Sequence, residues 1–393
     1  MFSPSSKQAQ QKSMKIFDAI IVGGGLSGVM VGHGLDNFES KPIEWKLLEA
    51  RSVLGGRLAN DGTDGSGKID MGGAWIWPFA QPYMKSLVKK LNIPTFIQPD
   101  ETSSTRIEGG AVEIVRSLSA SIDDQSRLQL NTPISSCSME TVGDENEKLV
   151  RLDTTTSESE YARRVVFAVP PRILHEQVTF DPPLSKKKQA ALSSSHTWMA
   201  GVTKVALVYP NRFWDLESSN MGLPQHQGPA FQVYDSSTKD GSISSLTFFA
   251  LVKPSNERAL KDDEALAKQV AEQMAKVWTY FQQPDYANQA FYYSRYEVKR
   301  WPLEKYISED YKPTTIHPHP HPVAALSEPE WDGLIEFAGS ETDRQSPGVM
   351  EGAVGAATRV LQSLKPFLQS LAPDRQTSTI CANDSKQETV QAL

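Results

Sequence analysis

The feature that most constrains this chain is a glycine-rich turn close to its start, Ile20-Ile21-Val22-Gly23-Gly24-Gly25-Leu26-Ser27-Gly28. The apolar run from Ala19 to Val22 predicts a buried parallel strand. Gly23 allows a tight turn out of it, Gly25 lets the backbone approach a pyrophosphate, and Gly28 lets the following helix lie close against the strand. That helix, expected from Leu26 to about Leu35 and opening on Leu26 and Ser27, aims free N–H groups and the positive end of its dipole at the phosphates. A second strand, Trp45 to Leu48, ends at Glu49, at the spacing of an acid that binds ribose hydroxyls. Strand, turn, helix and acid together specify a dinucleotide site.

The next residues separate flavin from nicotinamide. Gly55-Gly56-Arg57 is a second glycine turn soon after the ribose acid. It suits a longer cofactor, with Arg57 available to a pyrophosphate oxygen. On these residues the chain resembles the flavin-containing amine oxidase family: monoamine oxidases, polyamine oxidases, L-amino-acid oxidases and histone demethylase relatives. Leu48-Glu49-Ala50-Arg51 with Gly55-Gly56-Arg57 is similar to the family's early FAD signature, and Ile69-Asp70-Met71-Gly72-Gly73-Ala74-Trp75 to its next block. The resemblance implies an α/β, two-domain FAD-dependent oxidoreductase. It would have a Rossmann-like GxGxxG FAD domain and a mixed-sheet substrate domain with a reduced helical part.

At 393 residues the chain is long enough for two domains with substantial cores. Its net charge is −7, from 40 basic and 47 acidic residues, without a basic block, which argues against nucleic acid as a partner. Cys137 and Cys381 are its only cysteines. Two in this length make no disulfide framework and fit a reducing, cytoplasmic compartment. The first fourteen residues lack the apolar core of a secretory signal, and no apolar run is long enough to span a bilayer. A soluble enzyme is therefore expected, unlike monoamine oxidases with a C-terminal membrane helix.

The expected organisation is a disordered tail (1–14), a first FAD segment (15–75), a short substrate-domain insertion (76–105), a second FAD segment (106–171), the substrate domain (172–330), a third FAD segment (331–368) and a second disordered tail (369–393). Family members usually carry a much longer helical insertion after the first segment. Here about thirty residues remain, with one helix near Met84 to Leu91. Arg106 to Ala111 resembles the family's re-entry into the FAD domain, followed by a helix to about Ser121. Leu128 to Ile134 reads as a strand, and by resemblance the Ile134 backbone lies against the adenine. Leu149 to Thr155 and Glu160 to Phe167 read as a hairpin. Trp198 to Tyr209, Phe231 to Tyr234, Ser244 to Val252 and Phe291 to Trp301 read as strands. Asp262 to Phe281 is an amphipathic helix. His317-Pro318-His319-Pro320-His321-Pro322 is a rigid polyproline-like loop, its imidazoles held apart, so no metal is expected there.

Glu336-Phe337-Ala338-Gly339-Ser340-Glu341-Thr342 and Pro347-Gly348-Val349-Met350-Glu351-Gly352 predict a strand, a turn and a helix to about Leu364. The resemblance places that helix start at the flavin's pyrimidine edge, Glu341 near its phosphate and ribityl portion, and Met350 and Glu351 beside the ring. It implies that Lys253, after the strand Phe248 to Val252, is the lysine that holds a water against flavin N5 and assists reoxidation by oxygen. The pair Phe213-Trp214 stands in the family's order. Trp301, Tyr306 and Tyr311 match the aromatic spacing beside the flavin. The flavin-linked cysteine of monoamine oxidases is Asp310 here, so FAD is expected to be held non-covalently. Tyr311 falls at one half of the family's aromatic cage, whose ring faces receive the substrate amine. The other half falls at the aliphatic Val349, with Trp75 a further substrate contact.

The expected reaction is oxidation of an amine carbon–nitrogen bond to an imine, then an aldehyde or ketone, with oxygen reduced to hydrogen peroxide. Two alternatives stand beside it. One is an FAD-dependent desaturase or oxidase of an apolar carbon–carbon substrate, which Val349 fits. The other is a flavin-stabilised binding protein without turnover.

Overall fold

The computed structural model describes residues 13–39, 42–62, 67–98, 103–142, 146–155, 159–215, 219–308, 316, 318–371 and 379–381. Its first strand, Ser13–Val22, is buried from Ile16 onward except at Asp18, and runs parallel to Trp45–Leu48 on one side and Glu160–Phe167 on the other. A central parallel strand covered on both faces needs an almost unbroken apolar run, and Ala19 to Val22 supplies it. Leu128–Gln129 extends the sheet beyond Trp45–Leu48. Glu160–Phe167 has two partners on its other edge: Glu147–Thr154 pairs antiparallel with its first residues and Ile335–Phe337 parallel with its last. The sheet forks there, and Glu147–Thr154 leads on to Ile134–Val142 and Thr179–Asp181. The helices Leu26–Asp36 and Met350–Ser370 lie together on one face. Their Val29, Val31, Leu35, Val354, Val360 and Leu364 share one core with Ile21 and Leu47.

A second sheet is antiparallel throughout, in the order Met221–Gly222, Ala230–Asp235, Ser244–Ala250, Thr203–Tyr209, Arg295–Arg300. Side chains alternate along a strand. Val205, Leu207 and Phe248 therefore meet Leu266, Val270, Met274 and Val277 of the helix Asp263–Tyr280. Lys204 and its cross-strand partner Phe249 turn to the opposite face, toward the FAD-domain segments.

The expected elements recur with several corrections. Trp198 to Val202 is a turn, with Met199 at φ 62°, so that strand starts at Thr203. The strand expected over Leu128 to Ile134 breaks at Asn131, φ 54°, and the longer strand is Ile134–Val142. The last helix passes through Pro366 to Ser370; Pro366 is exposed, and Leu364 and Leu368 on either side stay buried in the core. The short insertion holds one helix, Pro82–Lys90, beside the three-stranded sheet Trp75–Ile76, Thr105–Ile107, Thr95–Ile97. Ser13 and Met14 of the first expected tail, with Lys15 beyond it, pair antiparallel with Thr379–Cys381 of the second. The rest of the tails lies outside the described residues. Among the described residues, no helix is long and apolar enough to cross a membrane.

Candidate functional site

One cavity runs between the two sheets. At one end it is built from backbone. Gly23 has φ 106° and Gly56 φ 59°, conformations that L side chains rarely adopt. Gly23, Gly25, Gly55, Gly56, Gly72, Gly73 and Gly339 all line it. A Cβ on Gly28 would stand 1.9 Å from the Gly23 carbonyl oxygen, so only glycine lets helix Leu26–Asp36 begin so near the strand. Gly28 itself lies behind the wall, in the spacer position expected of it. Neither helix that starts at the cavity, Leu26–Asp36 or Met350–Ser370, is capped by a side chain. Two such starts offer backbone donors and positive dipole ends to anionic groups.

Glu49 closes this end. Its Oε2 accepts from the Gly24 N–H at 2.5 Å and its Oε1 from the Arg51 N–H at 2.8 Å. Each carboxylate oxygen keeps a second acceptor direction, which suits ribose hydroxyls. Burial raises the Glu49 pKa against the pull of those N–H donors and the Arg51 charge. Thr132 donates its N–H to the Glu49 carbonyl, which brings Ile134 into the wall, and Ala50 and Arg51 line it too.

Arg57 lines the cavity and is held there by two neighbours. Its guanidinium grips Glu341 in bidentate fashion, at 2.6 and 3.1 Å, and donates to Ser340 Oγ at 2.8 Å. Arg57 and Ser340 still face the cavity, but Glu341, 2 % exposed, is not in its wall. Its carboxylate ties the first FAD segment to the third. Glu351 is likewise turned away. It accepts the Tyr83 and Met84 N–H groups at 3.0 and 2.8 Å and so caps the helix Pro82–Lys90.

The other end is aromatic. Leu26, Ser27, Ala74, Trp75, Trp301, Tyr306, Gly348, Val349 and Met350 line the same cavity. Trp301 is fixed by its indole N–H to the Met71 carbonyl at 2.8 Å, and Trp75 stands edge-on to Tyr234 with ring centroids 4.3 Å apart. Tyr311 and Asp310 lie outside the described residues. The His-Pro loop is partly described. His319 is exposed, its ring 4.8 Å from Trp198, and His317 lies outside. No cluster of three or more metal-ligating side chains occurs among the described residues.

Lys253 does not reach the site. It follows the strand Ser244–Ala250 onto an exposed turn, outside the cavity wall. The lysine in the wall is Lys204, 3 % exposed, on the neighbouring strand. Its Nζ donates to the Gly72 carbonyl at 2.6 Å, the Asp70 carbonyl at 3.2 Å and the Tyr234 hydroxyl at 2.9 Å. Phe249 presents its ring 4.8 Å from the nitrogen. Burial pushes the Lys204 pKa down to about 7, with Asp70 opposing and Arg106 adding to the shift. A sequence signal for it exists: Lys204 interrupts the otherwise apolar and β-branched run Val202 to Tyr209, and lysine is almost never fully buried without a reason.

Glycine turns, a buried acid and uncapped helix starts in one cavity with an aromatic end and a buried lysine define a two-domain α/β fold with a dinucleotide-type cavity. The family model described as "Flavin containing amine oxidoreductase" matches residues 96–362, and one described as "NAD(P)-binding Rossmann-like domain" matches residues 21–91. The chain belongs to the flavin containing amine oxidoreductase family. It is 27% identical over 260 residues to "Amine oxidase [flavin-containing]" of Danio rerio, covering 65% of this chain and 45% of that one. It is also 27% identical over 272 residues to "Lysine-specific histone demethylase 1B" of Mus musculus, covering 67% and 30%. The chain thus spans half or less of the length of these curated relatives. Among solved structures it resembles wild-type putrescine oxidase bound to putrescine and cyclohexylamine oxidase from Brevibacterium oxydans IH-35A. Each gives a TM-score of 0.69 at 16% identity, covering 90% of this chain and 100% of the other.

The cofactor of this family is FAD, and the cavity meets its needs at the buried acid Glu49, the glycine backbone and the uncapped helix starts. The only cysteine side chain among the described residues, Cys137, is buried in a separate core with Phe17 and Leu152.

Proposed function

We propose that this protein oxidises the carbon–nitrogen bond of an amine. The overall change converts amine, oxygen and water into a carbonyl compound, the released ammonia or amine, and hydrogen peroxide. FAD, when bound, supplies the two-electron chemistry, taking hydride from the amine α-carbon and returning electrons to oxygen. Everything else falls to the chain. Glu49 holds the ribose, and the starts of Leu26–Asp36 and Met350–Ser370 stabilise negative charge. Trp75, Trp301, Tyr306 and Val349 wall the reacting end and exclude water. Lys204 carries a proton at Nζ beside that end and takes the role in reoxidation that the family resemblance assigns to Lys253.

The observation that supports this reading most is Lys204, a lysine with pKa near neutrality set in an aromatic wall of the cofactor cavity. The family relatives that oxidise amines support it too. The aliphatic Val349, where an aromatic cage ring would stand, favours the alternative of an apolar carbon–carbon substrate. An oxygen electrode separates them. An amine substrate should drive oxygen uptake, and added catalase should return half of the oxygen consumed. Uptake with apolar alkenes or porphyrinogens but with no amine would reverse the assignment.

A further inference from the structure

Behind Lys204 lies a pair of buried charges that the cofactor cavity does not touch. Asp70 is 1 % exposed and Arg106 2 %, and neither lines the cavity. Asp70 Oδ1 accepts the Ala111 N–H at 2.7 Å. Its Oδ2 accepts no hydrogen bond and faces Arg106 Nη2 at 3.8 Å. Arg106 donates instead to the Ser237 and Ser236 carbonyls, at 3.0 and 3.2 Å, and lies over the Phe96 ring. Burial raises the Asp70 pKa against the pull of Arg106, the Ala111 N–H and Lys204. With Asp70 ionised, one anion and two basic side chains share one buried region, and the lysine is the base whose pKa burial brings toward neutrality.

We propose that Asp70 and Arg106 are positioning residues that set whether Lys204 carries its third proton. This inference rests on the assignment of Lys204 to the reacting end of the cavity. The opposing signs are physical. The Asp70 carboxylate favours the ammonium, the Arg106 guanidinium favours the neutral amine, and burial of all three removes the water that would otherwise screen them. The remaining groups around Lys204 do not compete. Phe249, on the strand Ser244–Ala250, is uncharged. On Arg295–Arg300, cross-strand from Lys204, the Lys299 charge is paired with Glu304. Tyr234, on Ala230–Asp235, is held neutral because burial pushes its pKa well up. Asp61, which acts on Asp70 from the far side, is paired with Arg295 at 2.8 Å.

The test follows the visible absorption of the oxidised, FAD-loaded protein against pH, which needs no substrate. Wild type should show one transition near pH 7, and Lys204→Met should abolish it. Asp70→Asn, which keeps the acceptor for the Ala111 N–H, should move the midpoint down by about one pH unit, the order expected when a nearby opposite charge is lost. Arg106→Gln should move it up by a similar amount. A folded, yellow Asp70→Asn protein with the wild-type midpoint overturns the proposal, and so does a shift of both variants in the same direction. If Arg106→Gln does not fold, Asp70→Asn alone decides. A transition that survives in Lys204→Met would instead refute the placing of Lys204, so the two failures are distinct.

Discussion

Replacing Lys204 by methionine should slow reoxidation of the reduced flavin by oxygen about a hundredfold, within the range for one positioned proton-bearing group, while FAD stays bound. Methionine keeps the length and apolar stem of lysine, so the wall against Phe249 and Trp75 is retained. The lost parts are the charge and the three donors that reach Asp70, Gly72 and Tyr234. A positive charge there stabilises the charge that develops on oxygen. With the pKa near 7, the ammonium dominates below that pH and the amine above it, so the wild-type rate should fall as pH rises through neutrality. The mutant should show a slow, flat profile. The measurement is photoreduction of the flavin without oxygen, then mixing with aerated buffer and following recovery of the visible band. Lys253→Met is the control and should recover like wild type, since that side chain is exposed. A Lys204→Met protein that recovers at the wild-type rate would remove the lysine from the account.

The second large effect should come from Gly28→Ala. The new Cβ would meet the Gly23 carbonyl oxygen at 1.9 Å, the carbonyl carbon at 3.1 Å and the Ala168 Cβ at 3.2 Å. The first two are backbone and cannot rotate away. The helix Leu26–Asp36 must therefore lift off its strand, and its free N–H groups move away from the phosphates. Overpacking of this kind costs about 1–3 kcal/mol, which corresponds to roughly 2–12 °C in Tm for a domain of this size. The larger consequence is loss of cofactor: the purified variant should be largely colourless and its melting point insensitive to added FAD. Gly222→Ala, whose Cβ would meet nothing nearer than 3.9 Å, should stay yellow. A Gly28→Ala protein that binds FAD like wild type would contradict the proposed packing of helix against strand.

The parts of this molecule that are local in sequence are legible from the residues alone. The strand at Ile20, the turn at Gly23 to Gly28 and the acid at Glu49 fall within thirty residues, and each constrains the next. The glycine-rich start of Met350–Ser370 is legible for the same reason. What the residues do not show depends on contacts between distant segments. Glu351 reads as a flavin neighbour because it opens a helix at the cavity, yet it caps Pro82–Lys90, 267 residues away. Glu341 pairs with Arg57, 284 residues away. Lys204 lies within one of two adjacent apolar strands and Lys253 just beyond the other, and only the register of those strands shows which lysine turns inward. The run of the last helix past Pro366 is hidden because an interior proline removes a helix hydrogen bond and crowds the preceding turn, whereas here Leu364 and Leu368, buried in the core on either side of it, hold the two turns in place.

The central claim, oxidation of an amine by the bound flavin, is tested most directly by anaerobic mixing of the yellow protein with monoamines, diamines, polyamines and amino acids while the visible flavin band is watched. The account predicts that one of these classes bleaches the band, and that readmitting air restores it. If every amine leaves the band intact while dithionite bleaches it, the account is contradicted.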